Sequence, residues 1–340
     1  MFATDLGGAL ADRGLAVRTV ALAAGEVGGL DVPVLGPSRL HPLTLRRLRK
    51  EVKRADVVLA HGSTTLWACA AVSLVSRTPF VYRQISDSAF WAPSRSRRMR
   101  VRAGLRLASR VVALWSGSAD TLHRQFGVDD AKVRVIPNGV PAARVAPVDR
   151  LAAPTTRRAL GLQPAAPTVL SLGALVPEKG VDLTIRAVGG LRGVQLLVVG
   201  DGPQRVHLEQ LAASVAPGRV VFTGSVADPN AVFTAADVVS LPSRGGDSMP
   251  AVLIEAGLAG LPVVSTPIQG IVDIVEHGVT GALVAPDSVE ELRIELDRVL
   301  GDPALAARRG DAAHRRCAER FTIDAVGAAW ARVVDELVAP

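Results

Sequence analysis

Asp247 and Glu255 are two carboxylates eight residues apart in a stretch running from Arg244 to Val264. The order of residue types reads as strand end, polar loop, short helix, turn and strand. Asp247 lies in the loop Arg244-Gly245-Gly246-Asp247-Ser248-Met249-Pro250, and Glu255 lies within the apolar helix that follows. Asp247 or Ser248 is expected to cap that helix, and Pro250 suits its first turn. Gly260 and Pro262 suit its end. A helix start has N–H groups without partners and binds anions readily. Carboxylates beside such a start suit a ligand carrying both phosphates and hydroxyls, as a nucleotide sugar does.

Other loops in the second half have the same strand-to-helix setting. Gly173-Ala174-Leu175-Val176-Pro177-Glu178-Lys179-Gly180 carries Lys179, one of four lysines in the chain. A lysine is a mobile point charge suited to phosphate. Asp182 is expected to cap the helix after it. Thr266-Pro267-Ile268-Gln269-Gly270-Ile271 opens another helix, where Gly270 lets backbone N–H groups approach a ligand. Val199-Gly200-Asp201-Gly202-Pro203 is a strand entering a tight turn, and Gly224-Ser225-Val226 follows a strand where a nucleotide base could lie.

These loops need parallel sheets to hold them, and the chain supplies the pattern. Short β-branched runs alternate with helical stretches. Candidate strands in the first half are Val17–Leu22, Val57–Ala60, Phe80–Tyr82, Val111–Leu114 and Val133–Ile136. In the second half they are Thr168–Leu172, Gln195–Val199, Val220–Thr223, Val238–Leu241, Val263–Ser265 and Ala282–Val284. Pro137-Asn138-Gly139-Val140-Pro141 and the Ala/Pro-rich stretch after it read as a linker. The expected fold is α/β, with two doubly wound Rossmann-like domains facing a cleft. Ligands of such folds bind at strand carboxyl ends. Residues 1–13 already read as a helix, so the first strand and its glycine-rich turn are expected to be missing from the N-terminal domain, either because the start is truncated or because the strand is absent.

The 340 residues suffice for two cores, and 49% hydrophobic residues argue against disorder. Two cysteines, Cys69 and Cys317, give no disulfide framework. The start has no signal-peptide pattern, and no apolar run reaches the length of a membrane span, which suggests a cytoplasmic protein. Charge is uneven. Residues 1–150 hold 23 Lys+Arg and 11 Asp+Glu, a net of +12, leaving −5 for the rest. One basic cluster spans Arg46 to Arg54 and another Arg95 to Arg110. Attraction to an anionic surface, such as lipid headgroups or a phosphorylated acceptor, is one reading, and a solvated surface is the other. No aromatic residues interleave with the clusters, which argues against nucleic acid. The histidines are scattered and suggest no metal site.

Several motifs together resemble the family 4 (group 1) glycosyltransferases of the GT-B fold. They are Ile136-Pro137-Asn138-Gly139-Val140, Ser171-Leu172-Gly173 through Pro177-Glu178-Lys179-Gly180, Val199 to Pro203, Phe222-Thr223-Gly224, Asp247 to Pro262, and His277-Gly278-Val279-Thr280-Gly281. The resemblance is strong from about residue 105 onward and loose before it. It implies an acceptor-side domain at 1–140, a linker at 141–166, a donor domain at 167–320, and a C-terminal helix at 321–340 packing back on the first domain.

The resemblance also implies roles. Glu255, the second acid of the family's E-x7-E motif, would bind the ribose hydroxyls. Asp247, in place of the usual glutamate, would lie near the donor sugar, and Lys179 would bind the diphosphate. These three form the expected catalytic set. Gly173, Ala174, Gly202, Val226, Ser248, Met249, Pro250, Gly270 and Ile271 would complete the donor site for a UDP-, GDP- or ADP-hexose. Transfer would retain anomeric configuration, with no metal or other cofactor, because the departing diphosphate itself helps deprotonate the acceptor hydroxyl. Ala174 stands where the family usually has an arginine beside the lysine, a loss expected to weaken donor binding. His61, Arg83 and Asp87 follow first-half strands and are the expected acceptor-side contacts. The alternatives are a GT-B protein that binds nucleotide or glycan with little or no turnover, and a nucleotide-sugar epimerase.

Overall fold

The computed structural model describes residues 2–24, 31–85, 94–246 and 248–338. The chain divides into two compact units, residues 1–139 with 323–340, and residues 140–322. Among the described residues each unit has one parallel sheet. In the first unit, β1 (Val58–His61), β2 (Phe80–Arg83), β3 (Arg110–Ala113) and β4 (Val133–Val135) pair in sequence order. Helices α1 (Phe2–Ala11), α2 (Pro42–Val52), α3 (Ser63–Ser76), α4 (Arg95–Leu107) and α5 (Ser116–Phe126) surround it. The long helix α14 (Ile323–Val338) belongs to this unit. It buries Ile323, Val326, Trp330 and Val333 against Leu6, Ala9 and Leu10 of α1 and against Val81 and Val112 of the sheet.

The second unit begins with the short helix α6 (Ala153–Ala159) and continues as β5 (Thr168–Leu172), α7 (Val181–Gly189), β6 (Gln195–Val199), α8 (Arg205–Val215), β7 (Val220–Gly224), α9 (Asn230–Ala235) and β8 (Val238–Leu241). It closes with α10 (Ala251–Leu258), β9 (Val263–Ser265), α11 (Ile271–Ile274), β10 (Gly281–Leu283), α12 (Val289–Gly301) and α13 (Pro303–Arg320). The strand order is β10-β9-β8-β5-β6-β7, all parallel. Every residue of β6 and β8 is buried, as expected of parallel strands covered on both faces. Their Val- and Leu-rich sequences follow from that burial.

One expected strand did not form. Val17–Leu22 makes only an isolated parallel bridge, Ala21 to Val34. It is not joined to the four-stranded sheet, whose edge is β1. The stretch from 141 to 166 also holds structure: a 3-10 turn at Ala142–Arg144 and the helix α6. Among the described residues no helix is long and apolar enough to cross a membrane.

Candidate functional site

In the second unit the carboxyl ends of the strands gather the chemistry-bearing loops. The loop after β5 runs from Gly173 to Gly180 and includes a 3-10 turn at Pro177–Lys179. Gly173 and Gly200 touch so closely that a Cβ on Gly200 would overlap the Gly173 carbonyl. Leu175 N–H donates to Asp201 O at 2.9 Å, and Gln204 N–H donates to Leu175 O at 3.0 Å. The Gly200-Asp201-Gly202 turn therefore backs the Gly173–Leu175 loop. Lys179 lies alongside Gly173, its Cε 3.9 Å from where a Gly173 Cβ would sit. Ala174 is exposed. Gly180 takes φ +65°, and a side chain there would meet Pro242 O.

Arg244 locks two loops together. Its Nη1 and Nη2 donate to the two carboxylate oxygens of Asp182 at 2.7 and 2.8 Å, and its Nε donates to Asp287 at 2.6 Å. Nη1 also reaches Pro177 O at 3.0 Å, and the Arg244 N–H donates to Glu178 O at 2.8 Å. The hydrogen bonds to Asp182 and Asp287 hold the guanidinium above its ordinary pKa. Asp182 is pushed up by burial, but its bonds to Arg244 outweigh that and lower it. The expected capping role of Asp182 is thus incorrect. The helix is capped at Gly180, without a side-chain bond, and the carboxylate serves Arg244 instead.

Glu255 sits on α10, half-buried, with Arg144 Nη1 3.9 Å from its carboxylate. Burial raises its pKa, and the charge of Arg144 opposes that rise. The residue capping α10 is Pro250, with no side-chain cap bond. Ser248 therefore does not cap the helix; its Oγ is buried without a hydrogen-bond partner among the described residues. Its carbonyl instead accepts from Gly270 N–H at 2.8 Å, and a Cβ on Gly270 would overlap that carbonyl. This draws the Ser248-Met249-Pro250 loop against the loop leading to Ile271. Val226 is exposed beyond β7, after Gly224 at φ +75°. Asp247 lies outside the described residues.

In the first unit His61 and Arg83 are opposite each other in the β1–β2 register. Arg83 is 4% exposed. Its Nη2 donates to Asn138 Oδ1 at 3.0 Å, and its Cζ lies 3.6 Å from the Phe2 ring centroid. Burial pushes its pKa down to about 9. Burial, then the charge of Arg83, push His61 down to about 3, and its Nδ1 finds no hydrogen-bond partner among the described residues. Asp87 lies outside the described residues.

The description "Glycosyltransferase Family 4" matches residues 1–144, and "Glycosyl transferases group 1" matches residues 166–302. A D-inositol 3-phosphate glycosyltransferase from Nocardia farcinica is 31% identical over 356 residues, covering 96% of this chain and 75% of its own. The chain is a family 4 glycosyltransferase. A 2-deoxystreptamine glucosyltransferase from Streptomyces kanamyceticus is 33% identical to this glycosyltransferase, over 74% of this chain and 69% of its own. The Anabaena protein HepE, solved with UDP, superposes with a TM-score of 0.80 at 25% identity, over 90% of this chain and 86% of its own. The fold is GT-B. A sucrose-phosphate synthase from Thermosynechococcus elongatus shares it, with a TM-score of 0.84 at 23% identity over 99% of this chain and 93% of its own.

The structure brings Gly173, Ala174, Lys179 and Gly202 together in one pair of loops, and Ser248, Met249, Pro250, Gly270 and Ile271 in another. The clamp of Arg244 on Asp182 and Asp287 was not anticipated, nor was Arg144 beside Glu255. Arg244 stands at the head of the acidic-loop segment, so its position in the sequence was visible. Its partners, 62 residues before and 43 after, were not.

Proposed function

We propose that this glycosyltransferase moves a hexose from a nucleoside-diphosphate sugar to a hydroxyl of a glycan, lipid or small-molecule acceptor, with retention of anomeric configuration and without a metal. The observation that carries the reading is the half-buried Glu255 at the carboxyl-end loops of the second unit, where Arg244 holds the Lys179 loop. A carboxylate sheltered from water accepts strong hydrogen bonds from ribose hydroxyls. Lys179 and backbone N–H groups near Ser248 and Gly270 take up charge on the departing diphosphate. As the donor's C1–O bond breaks, a diphosphate oxygen takes the acceptor proton, and the new glycosidic bond forms on the same face. In this reading Asp247 is assigned to the donor sugar, and His61, Arg83 and Asp87 to the acceptor side. HepE was crystallised with UDP and with UDP-glucose, which makes uridine the first base to try. The protein works in the cytoplasm, with its basic first half free to meet an anionic membrane face.

A thermal-shift screen with UDP, GDP, ADP and their hexoses tests the donor class. A ligand of the native state adds about 2.7 kcal/mol at a hundredfold excess over Kd. A shift with one nucleotide, and release of that nucleotide from its hexose when a hydroxyl acceptor is added, supports transfer. An unchanged rate in EDTA and an α-linked product from an α-linked donor support the metal-free, retaining course. A second reading, binding without turnover, is favoured by Ala174 in place of the family's arginine. Nucleotide binding with no product from any donor would support it.

A further inference from the structure

Arg144 is the cation beside Glu255, and backbone contacts hold it there. It ends the 3-10 turn Ala142–Arg144, with its N–H on Pro141 O at 2.9 Å. Asn230 ties that turn down on both sides. Its Nδ2 donates to Arg144 O at 3.2 Å, and its Oδ1 accepts from Ala146 N–H at 2.8 Å. Asp228 fixes Asn230 in turn, its Oδ1 accepting from the Asn230 N–H at 2.9 Å and from Nδ2 at 2.7 Å. Further on, Val148 N–H donates to Ala259 O at 3.0 Å, and Ala259 N–H donates to Glu255 O at 2.9 Å. The segment carrying Arg144 is therefore bound to α10 one helical turn past Glu255.

The distance decides what Arg144 does. Its Nη1 stands 3.9 Å from Glu255 Oε1, beyond the reach of an N–H···O hydrogen bond. Among the described residues no hydrogen bond occupies the Glu255 carboxylate. An ionised carboxylate has acceptor sites for several donors at once. Coulomb attraction falls only with the inverse of distance, so the guanidinium still acts on a carboxylate that is 14% exposed. Burial favours the neutral acid, and the Arg144 charge opposes that. The charged groups on the elements packed against α10 are engaged elsewhere. Arg316 of α13 donates to Ile274 O and to Asp273 O of α11 and pairs with Glu276. His314 Nδ1 meets Leu258 O at 2.7 Å, and Cys317 lies against Gly257 as a neutral thiol. β8 and β9 bring no charged residue. Asp247 lies outside the described residues.

We propose that Arg144 is a positioning residue of the donor site: it supplies the counter-charge of Glu255 without taking the carboxylate oxygens, so that both stay open to the two ribose hydroxyls. The proposal rests on the reading of Glu255 as the ribose contact. The sign of its pH dependence follows. A buried carboxylate loses its charge as pH falls through its raised pKa, and without Arg144 that loss comes at higher pH. The test is calorimetric titration of the full chain with UDP and with 2′,3′-dideoxy-UDP. Both carry the same diphosphate and its own titration, so the ratio of the two affinities isolates the ribose hydroxyls. The variants are R144Q, R144K, E255Q and R158Q, the last removing an exposed charge from α6.

In R144Q the ratio should fall about tenfold at about pH 6, the worth of roughly one pKa unit, and recover toward that of the unaltered chain at about pH 8.5. R144K should keep most of it, since a point charge at this distance suffices. E255Q should lower the ratio equally at both pH values, and R158Q should leave it alone. Equal weakening of both nucleotides by R144Q, or a fall in the ratio that ignores pH, would overturn the proposal. A second readout needs no nucleotide. The carboxyl carbon resonance of Glu255, identified by its loss in E255Q, should titrate at higher pH in R144Q, and an unmoved midpoint would also overturn the proposal. No UDP binding by the unaltered chain, or a ratio near one, would sink the ribose reading and this proposal with it. UDP binding with a high ratio but no R144Q signature would sink the proposal alone.

Discussion

At residue scale the proposed donor site would rest on a few side chains with separable roles. Glu255→Ala is expected to weaken UDP binding more than Asp247→Ala, because the ribose contact proposed for Glu255 would persist in substrate and product alike while the sugar leaves. Equal calorimetric affinities for the two variants would refute that division. Ala174 is exposed at the Lys179 loop and, if the proposed donor site holds, would leave the diphosphate short of one cation by the family's pattern. Ala174→Arg should tighten UDP binding about tenfold, the worth of roughly one added charge-assisted hydrogen bond. An unchanged or weaker affinity would mean that another group already fills the role. His61 makes a statement about pH. Its folded pKa, about 3, lies below the unfolded 6.5, so the unfolded chain takes up a proton that the folded chain refuses. Stability should therefore fall as pH drops from about 6.5 toward 3, by up to about 1.4 kcal/mol for each step of one in pH. Glu255 acts with the opposite sign, since its folded pKa is raised and the folded chain accepts its proton first. The contribution of His61 is thus read as a difference. Urea midpoints between pH 6.5 and 5 should decline less in His61→Asn than in the unaltered chain, and parallel declines would show His61 to be accessible to protons in the native state.

At the scale of elements, loops are held by contacts that the sequence does not advertise. All the second-unit strands were legible as β-branched runs. Thr168–Leu172, Gln195–Val199, Val238–Leu241 and Val263–Ser265 matched end to end, because fully covered parallel strands are apolar throughout. Val17–Leu22 has a similar composition yet makes only one bridge. Composition shows that a segment can pair but not whether a partner lies beside it. Likewise Asp182 and Ser248 suit helix caps by position. Tertiary partners won in both cases: Arg244 took the Asp182 carboxylate, and Gly270 fixed the Ser248 backbone. Loop positions at strand ends were readable from spacing, whereas the clamp across 62 residues was not. That clamp gives a prediction. Arg244→Gln should leave Asp182 and Asp287 unmatched and loosen the Lys179 loop, leaving it tied to residue 244 by the backbone bond to Glu178 O. UDP affinity should drop about tenfold, with a stability loss of about 1–2 kcal/mol, the pair being partly exposed. Arg244→Lys should rescue neither, because an ammonium cannot make the bidentate contact while also reaching Asp287. Rescue by lysine would reduce the clamp to simple charge.

At the scale of the whole molecule each unit has its own sheet and core, and each contains one of the two cysteines. Cys69 is buried on α3 in the first unit. Cys317 is buried on α13 in the second, against Gly257 of α10, the helix that carries Glu255. Burial pushes both thiols up to about 12, so neither is appreciably ionised at neutral pH and each reacts only when its surroundings open. The two cysteines therefore report the opening of the two units separately. A nucleotide that binds through Lys179 and Glu255 stabilises the unit containing them and suppresses its opening by the factor 1 + [L]/Kd. With UDP at about a hundred times Kd, labelling of Cys317 under fast-opening conditions should slow about a hundredfold, while labelling of Cys69 should change little. Mass spectrometry of the labelled peptides reads the two sites in one sample. Slowing at Cys317 alone would show that the donor site belongs to one cooperative unit. Equal slowing at both would show that the units open together. Slowing at Cys69 alone would place nucleotide binding in the first unit and overturn the assignment of Lys179 and Glu255.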